Sequence, residues 1–393
     1  MSESRKPLSG VRVIDLTVFL PGPMCTLHLA DLGADVIKVE NPGAWDPQRG
    51  LPGSEFTTQF LMLNRNKRAI TVNLRAPEGR EIIARLAREA DVLVEGFRPG
   101  VTDRLGVGYG ALAAVNPRLV YCSISGYGQT GPLAQAGGHD INYQCLAGVL
   151  DQTGTADGPP APGNFPVADL AGGALSAAMG ILAALFDARQ SGRGRHVDVA
   201  MTDCLMAHNV PAVSALQDRG RMPARGGDYL SGGMACYGVY ETADGRHLAV
   251  GAIEMKFWQA FCETIGRPDL ARRGHLIGEQ GVAARAEVAA VIAQHVLAHW
   301  TALFADVDAC VTPVLRADEA HARPQARDRG MVVASEHPIH GRYWQYAFPI
   351  RMSDYEFRVE RQGARPGADN DAVLGELGYA HADIERLRAG GII

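Results

Sequence analysis

A strand–helix–strand pattern near the start of the chain limits the possible folds more than any other sequence feature. Residues 11–16 alternate and are rich in β-branched side chains, which predicts a strand. Residues 24–33 have helical apolar spacing and end on a glycine, and residues 35–40 predict a second strand. Such a unit closes through a right-handed crossover with parallel strands. The sequence therefore predicts an α/β domain built on a parallel sheet.

The following 160 residues or so continue this alternation. Predicted helices cover 77–90 and 168–190, and further strands are predicted at 69–74, 91–95, 119–124 and 194–199. The first turn lacks the glycine pattern of a dinucleotide site, so no NAD site is predicted, and 106–110 is interpreted as a loop. Ligands of open α/β sheets bind outside the carboxyl ends of the strands. The segments after 91–95 and 119–124 are therefore candidates for ligand contact.

The character of the sequence changes after residue 201. Residues 211–227 are interpreted as an irregular connector, and 237–250 predict a hairpin around an Asp-Gly turn. Helices at 257–265 and within 282–304, and a strand at 310–314, complete a smaller α+β domain before a helical tail at 371–391. The predicted division is a large domain at 1–200, a linker at 201–228, a small domain at 229–325, and a return linker with the rest of the large domain at 326–393.

Length and composition limit the class of protein. A chain of 393 residues exceeds the size of one hydrophobic core, and its net charge of -5 argues against nucleic-acid binding. Seven dispersed cysteines without a CxxC pair predict no disulfide framework and a cytoplasmic location. The polar start and a longest apolar run of about 15 residues, 172–186, predict neither a secretory signal nor a membrane span. No metal or redox cofactor is predicted.

The central candidates are His139 and Asp169. Each lies beside glycines, and a Gly/Pro-rich loop at 153–164 separates them. An imidazole and a carboxylate can exchange protons near neutral pH when their surroundings separate their pKa values. The hypothesis is that these two side chains face each other across a bound substrate. Taken alone, Asp169 could instead be a first-turn acid that stabilises the helix dipole.

Two basic segments are candidates for anion binding. The run at 64–68 fits either a solvated loop or a phosphate clamp. The segment 96–100 follows a predicted strand at its carboxyl end, so we expect Phe97, Arg98 and Arg104 to contact ligand.

Several segments resemble class III (CaiB/BaiF-type) coenzyme A transferases over nearly the whole chain: 8–15, 30–40, 64–68, 95–100 and 126–132. Gly138-His139-Asp140-Ile141-Asn142-Tyr143 is similar to the signature of the α-methylacyl-CoA racemase branch. Residues 250–254 are similar to the segment of that branch whose glutamate supports the histidine. The branch usually continues with Pro-x-Phe, where this chain has Met255-Lys256-Phe257.

The resemblance implies a Rossmann-like large domain, a smaller domain, and two subunits interlocked as a homodimer. It implies that a CoA thioester is the substrate and that the α-carbon of 2-methylacyl-CoA is inverted through an enolate. His139 would serve the S face, Asp169 the R face, and Glu254 would orient His139. Backbone N–H groups near Asp169 are the predicted donors to the enolate oxygen.

The acyl-CoA substrate also defines a predicted set of contacts. The candidates are Lys38, Leu74, Gly96, Phe97, Arg98, Arg104, Gly138, Asp140 and Tyr143, with Arg65, Lys67 and Arg68 as further cations. Two alternatives stay open: a CoA-transferase in which Asp169 is the acyl-accepting nucleophile, and a non-catalytic acyl-CoA-binding protein. The acyl group is not identified.

Overall fold

The computed structural model describes residues 6–50 and 55–393. The polar start at 1–5, on which the expectation about a secretory signal rests, lies outside them. Contacts divide the chain into two compact units. The first comprises the described residues of 1–147 together with 165–208 and 324–393, and the second comprises 148–164 and 209–323. The loop before Asp169 thus packs with the second unit, although it lies inside the predicted first domain.

The described residues of the first unit form a six-stranded, all-parallel sheet. Its strands are β1 Arg12–Asp15, β2 Asp35–Glu40, β3 Lys67–Thr71, β4 Val92–Glu95, β5 Val120–Ser125 and β6 His196–Ala200. The spatial order is β3-β2-β1-β4-β5-β6, so the chain changes direction across the sheet between β1 and β4. The predicted α/β class with a parallel sheet is confirmed, and a topological switch point of this kind is where such sheets bind ligands.

Burial on both faces explains why the central strands are almost continuously apolar. Val13, Ile14, Ile37 and Leu93 are completely buried, and Ile14 pairs with Ile37 on one side and Leu93 on the other. Helices cover the sheet. Those of the first unit up to residue 208 are α1 Pro21–Asp31, α2 Thr58–Asn64, α3 Pro77–Glu89, α4 Val101–Arg104, α5 Tyr109–Val115, α6 Asp140–Leu146, a π-helix Ala168–Leu175, α7 Ser176–Ser191 and α8 Met201–His208.

The predicted helix at 168–190 consists of the π-helix followed directly by α7. In the described part of the chain, this 24-residue helix has the length and composition that would allow it to cross a membrane. One side of α7 packs against β5 and β6, with Ala177, Ile181 and Ala184 buried. The other side leaves apolar side chains exposed, among them Phe186.

The second unit contains a three-stranded antiparallel sheet in its described residues, which matches the predicted smaller α+β domain. Its strands are β7 Tyr237–Glu241, β8 His247–Gly251 and β9 Val311–Pro313. Its helices are α9 Val210–Arg219, α10 Met255–Thr264, α11 Gly278–Ile292, α12 Leu297–Leu303 and α13 Ala317–Ala322. Trp258, Phe261 and Phe304 stack in its core.

The prediction of an irregular connector at 211–227 is wrong, because α9 occupies its first half. Pro211 lies in the first turn of α9, and Gly220 caps its carboxyl end with φ 65°. Proline fits the first turn of a helix and glycine fits the left-handed position after its end. Pro211 and Gly220 therefore mark the two ends of a helix inside the segment that was interpreted as irregular.

The chain returns to the first unit at residue 324. There α14 Pro324–Asp328 leads into an antiparallel hairpin, β10 Val332–His337 and β11 Gly341–Tyr346, which the sequence analysis assigned only to a return linker. The predicted helical tail at 371–391 comprises two helices, α15 Asn370–Glu376 and α16 His381–Ala389. Short 3₁₀ turns occur at Pro47–Arg49, Leu150–Gln152 and Pro268–Arg272.

Candidate active site

A cavity of about 650 Å³ opens at the carboxyl ends of β1, β4 and β5, at the switch point of the sheet. Three segments form most of its wall: 17–22 after β1, 96–99 after β4, and 124–127, which comprises the end of β5 and the two residues after it. His139 and Asp169 both line this cavity. The fold therefore brings together the two side chains that the sequence hypothesis paired.

His139 occupies the N-cap position of α6. Its N–H donates to Asn142 Oδ1 over 3.0 Å, which fixes the backbone. The residue is exposed and lines the cavity. The ring lies edge-on to Phe19, with centroids 6.3 Å apart and an interplanar angle of 85°. Phe19 is a site residue that the sequence analysis missed.

Glycine is required beside His139 because a tyrosine packs underneath. The buried Tyr143 donates its hydroxyl hydrogen to the Gly138 carbonyl oxygen. A Cβ on Gly138 would lie 2.7 Å from the Tyr143 ring and 2.9 Å from the Tyr127 hydroxyl oxygen. The predicted contacts at Gly138 and Tyr143 thus both lie in the cavity wall.

Asp169 is the second residue of the π-helix and is half-buried. Burial and then the negative charge of Asp140 raise its pKa to about 6, while His139 opposes the shift. π-Helical segments are rare and recur at functional sites. A carboxyl group with a pKa near neutral can hold a proton and also release it, which suits acid–base chemistry.

The Asp140 carboxylate links the two candidate residues. Its Oδ1 accepts hydrogen bonds from the N–H groups of Ala168 and Asp169, at 2.7 and 3.1 Å. Asp140 therefore occupies two of the N–H groups near Asp169 that were predicted to stabilise an enolate oxygen, and the structure gives no support to that role for these two. Contact of Asp140 itself with CoA stays a prediction.

Small residues let the π-helix approach its neighbours. A Cβ on Gly172 would lie 2.8 Å from the Met201 carbonyl oxygen, and one on Gly173 would lie 2.8 Å from Pro21 Cβ. The close packing against α1 and α8 therefore depends on this glycine pair.

Lys38 lies in the core. Its ammonium group is 1% exposed and contacts Asp46 Oδ2 and the Thr17 carbonyl oxygen, both at 2.9 Å. Since those contacts satisfy the charge away from solvent, the structure gives no support to the predicted contact between Lys38 and CoA.

Neither interpretation of the basic run at 64–68 describes the structure. Its cations form ion pairs: those of Arg65 with Asp31 and of Lys67 with Asp15 are buried, and that of Arg68 with Asp35 is partly exposed. They are neither a solvated loop nor free phosphate ligands. The partners lie 33 to 52 residues away in the chain, so spacing along the sequence could not reveal them.

A second cavity of about 350 Å³ lies at the carboxyl ends of β1 to β4 and shares Val18 and Phe97 with the first. The predicted contacts Leu74 and Arg104 line it, whereas Gly96 and Arg98 line the first cavity. Arg75 also lines the second cavity. It directly follows a predicted strand, and that position is the signal that could have identified it.

These arginines differ from the buried cations. Among the described residues, Arg75, Arg98 and Arg104 form no ion pair. All three are exposed. Unpaired guanidinium groups at adjoining cavities can pair with phosphate oxygens.

The sequence profile of CoA-transferase family III matches residues 8–371. The chain belongs to CoA-transferase family III. The predicted family resemblance is therefore confirmed, and the site of this family III protein can be compared with those of relatives that catalyse different reactions.

Relatives of this family III protein include both reaction types. Human alpha-methylacyl-CoA racemase is 34% identical over 390 residues, covering 98% of this chain and 97% of the racemase. Acetyl-CoA:oxalate CoA-transferase of Acetobacter aceti is 36% identical over 381 residues, covering 95% and 96%. The crystal structure of a CAIB/BAIF family protein from Brucella suis matches with a TM-score of 0.82 and 31% identity, covering 95% of this chain and 100% of that one. Similarity thus shows the family but not which reaction this chain catalyses.

The third predicted catalytic residue of this family III protein belongs to the other unit. Glu254 is the N-cap of α10 in the second unit, and it is exposed. Its predicted support of His139 remains a prediction.

Proposed function

We propose that this family III protein is an acyl-CoA racemase that inverts the α-carbon of 2-methylacyl-CoA thioesters. The observation that carries the proposal is that His139 and Asp169 line one cavity and that the pKa of Asp169 is raised to about 6. A general acid or base works best when its pKa lies near the working pH. An ordinary exposed aspartate would hold its proton only at much lower pH.

The proposed reaction is a two-step proton transfer. One residue of the pair removes the α-proton, and the electron pair of the C–H bond moves into the thioester to form an enolate. The other residue then gives its own proton to the opposite face of the α-carbon, and the electron pair returns to form the new C–H bond. Either direction restores the pair with its roles exchanged, so no cofactor beyond the CoA thioester is required.

The enolate oxygen needs a donor other than the N–H groups that Asp140 occupies. The first N–H of α6, that of Asp140 itself, has no acceptor among the described residues. The first N–H groups of a helix lack partners within that helix. We assign this N–H, next to His139 in the chain, as the donor to the oxygen.

The two adjoining cavities suit an extended acyl-CoA. In the proposal, Arg75 and Arg104 pair with CoA phosphates at the second cavity, and Arg98 assists at the first. Val18 and Phe97 belong to both walls, so the pantetheine arm would pass beside them. The likeness to the human racemase supports the same substrate class.

A CoA-transferase is the second candidate. The similarity to the Acetobacter aceti CoA-transferase favours it, and so does the place of Asp169 in the cavity. In that reaction the Asp169 carboxylate attacks the thioester carbonyl, and CoA leaves as the thiolate. The acceptor carboxylate then attacks the aspartyl carbonyl of the anhydride, and the donor acid leaves. The thiolate finally attacks the acceptor acyl carbonyl and releases the Asp169 carboxylate. In the transferase reaction His139 transfers no proton.

We also propose that the protein acts as a cytoplasmic homodimer. The proposal is supported by an exposed apolar stripe on one side of the long helix, which a second copy of the chain would bury. Its residues Leu175, Met179, Leu182 and Phe186 are 55%, 66%, 38% and 68% exposed. Contiguous exposed apolar side chains mark interaction surfaces. All seven cysteines are free thiols, which supports a reducing compartment.

The deciding experiment follows the α-proton. A single enantiomer of 2-methylacyl-CoA is incubated with the protein in D₂O without an acceptor acid. Deuterium incorporation with loss of enantiomeric purity, reduced by about 10²–10⁴-fold in His139→Ala, is expected for the racemase. Incorporation that survives His139→Ala in full would contradict the assigned role.

The transferase arm uses hydroxylamine during turnover with an added carboxylate. Adduct formation at Asp169, together with CoA transfer and no α-proton exchange, would establish the second candidate instead. Asp169→Asn is the matched control, because it cannot form the anhydride.

A further inference from the structure

Phe19 has a backbone conformation that only glycine adopts at no cost. Its φ is 66°, in the left-handed region, and its side chain lines the first cavity. Non-glycine residues in this region cost free energy and persist only where their surroundings hold them, often at functional sites. The ring that this backbone presents is the one that contacts His139 edge-on.

Buried charges hold both sides of this residue. Asp46 Oδ1 accepts the Phe19 N–H over 3.2 Å. Lys38 Nζ pairs with the other oxygen of Asp46 and donates to the Thr17 carbonyl oxygen, two residues before Phe19. One buried ion pair therefore fixes the strained loop at two points.

The ion pair is itself held rigidly. The Asp46 N–H donates to Glu40 Oε1 over 2.9 Å, and Arg49 binds both oxygens of Glu40 at 2.9 and 2.6 Å. Lys38, Asp46 and Arg49 are at most 2% exposed. Such a network is costly to bury, and one use of buried polar groups is to specify a single conformation.

We propose that Asp46, together with Lys38, is a positioning residue for His139, and that it acts through Phe19. Neither side chain lines the first cavity, although Asp46 lines the second. Asp46 Oδ1 also accepts the N–H of Gln48, which lines the first cavity, so the variants of Phe19 itself isolate the path through Phe19. The Phe19 ring limits rotation of the imidazole and keeps water from one of its edges. For turnover this inference rests on the proposed function, whereas the effect on the imidazole can be measured without it.

Two double variants separate the hydrogen bond from the charge. Lys38→Met with Asp46→Asn removes the ion pair but keeps an oxygen for the Phe19 N–H. Lys38→Met with Asp46→Leu removes the ion pair and the oxygen. We expect the Asn double variant to have a kcat at least about ten-fold above that of the Leu double variant. Asp46 also lines the second cavity, where the CoA phosphates are proposed to bind, so a change in KM alone does not support positioning. Equal kcat values at equal melting temperatures would overturn the inference.

Phe19 itself gives a test that does not depend on those variants folding. Phe19→Ala is expected to lower kcat about ten-fold, which is less than the roughly 10²–10⁴-fold that an acid–base group contributes in full, because His139 is still present. Phe19→Tyr keeps the edge of the ring and is expected to restore most of the lost rate. A kcat for Phe19→Ala equal to that of the unsubstituted protein would overturn the inference.

The imidazole resonances of His139, assigned by their loss in His139→Gln, provide a readout without substrate. We expect them to shift in Phe19→Ala and in the Leu double variant, but less in the Asn double variant. If the protein exchanges no α-proton yet these shifts occur, the proposed function fails and the positioning stands. If it exchanges the proton and the resonances do not move, the positioning is overturned.

Discussion

At the scale of single residues, Asp140 has two effects on Asp169, to which it is hydrogen-bonded. Its Oδ1 fixes the backbone of Asp169 by accepting that residue's N–H, and its charge raises the pKa of the Asp169 carboxyl group. Because Asp140 directly follows His139 in the chain, its carboxylate connects the segment that carries His139 to the backbone of Asp169. The motif around His139 made this residue visible in the sequence, but only the structure shows its partner.

Asp169→Asn is expected to stabilise the protein while abolishing proton transfer. The pKa of Asp169 in the folded state is about 6 instead of 3.8. The contribution of this carboxyl group to the free energy of unfolding is therefore fully present below pH 3.8 and is lost as the pH rises through 6. After discounting for solvent, the variant should gain on the order of 1 kcal/mol at pH 7.5 and little at pH 3.5. Urea denaturation at both pH values tests this, with the exposed Asp157→Asn as control. An equal difference at both pH values would contradict the burial argument.

Glu95→Gln tests a second buried carboxyl group, beneath the loop 96–99. Glu95 is 3% exposed and accepts the Phe97 N–H over 2.7 Å, and burial raises its pKa to about 7. Its folded-state pKa exceeds the usual 4.5, so stability should fall as pH rises from 4.5 to 7.

The Glu95→Gln variant keeps an oxygen for the Phe97 N–H. Its stability should change much less between pH 4.5 and 7 than that of the unsubstituted protein. The difference in unfolding free energy is on the order of 2 kcal/mol across this interval. Denaturation midpoints measured at several pH values provide the comparison. Parallel curves for the variant and the unsubstituted protein would show that Glu95 does not titrate there.

At the scale of elements, patterns within a strand or helix were predictable, and partners distant in sequence were not. β2 has the predicted bounds, residues 35–40, because a short run rich in valine and isoleucine is typical of a strand that is buried along its length. The hairpin β10–β11 was missed, since its polar and aromatic residues gain their partners from elsewhere in the chain: Tyr343 packs against Phe60 and its neighbours. Lys38 was misassigned for the same reason. The sequence shows that Lys38 is a cation, but only the fold shows that it forms an ion pair with Asp46.

The edge strand β3 provides a prediction at this scale. The N–H of Ala69 donates to Asp369 Oδ2 over 2.8 Å, and the N–H of Thr71 donates to Asn370 Oδ1 over 2.9 Å. Asp369→Ala leaves the buried Ala69 N–H without an acceptor, which costs about 1–3 kcal/mol. Urea denaturation should show this loss, with the exposed Asp371→Ala as control. A loss no larger than that of the control would show that the edge hydrogen bond contributes little.

At the scale of the whole molecule, the first unit is assembled from three separate segments of the chain, and the second from two. The sequence indicated the return to the first domain only as a change in composition. Contacts between segments far apart in sequence decide where such a boundary lies, which is why the sequence alone did not group the loop 148–164 with the second unit.

The proposed homodimer depends on the apolar stripe of the long helix. Met179→Glu with Phe186→Glu puts two charges on that surface, and we expect sedimentation velocity to show a monomer where the unsubstituted protein is a dimer. The partly exposed Val115→Glu is the control and should leave the dimer intact. A monomeric unsubstituted protein at micromolar concentration would refute the proposal.

The hydrogen bonds at the outer edge of β3 also have a consequence for protein synthesis. Asn73 at the end of this edge donates to the Ile392 carbonyl oxygen, so residues near 370 and 392 cover a strand made some 300 residues earlier. At about 5–20 residues per second, a ribosome needs roughly 15–60 seconds to make that stretch. During this time the nascent chain carries an uncovered sheet edge, which is a template for aggregation. The folding of this protein in the cell is therefore expected to depend on chaperones that bind the chain before its last 25 residues or so have been made.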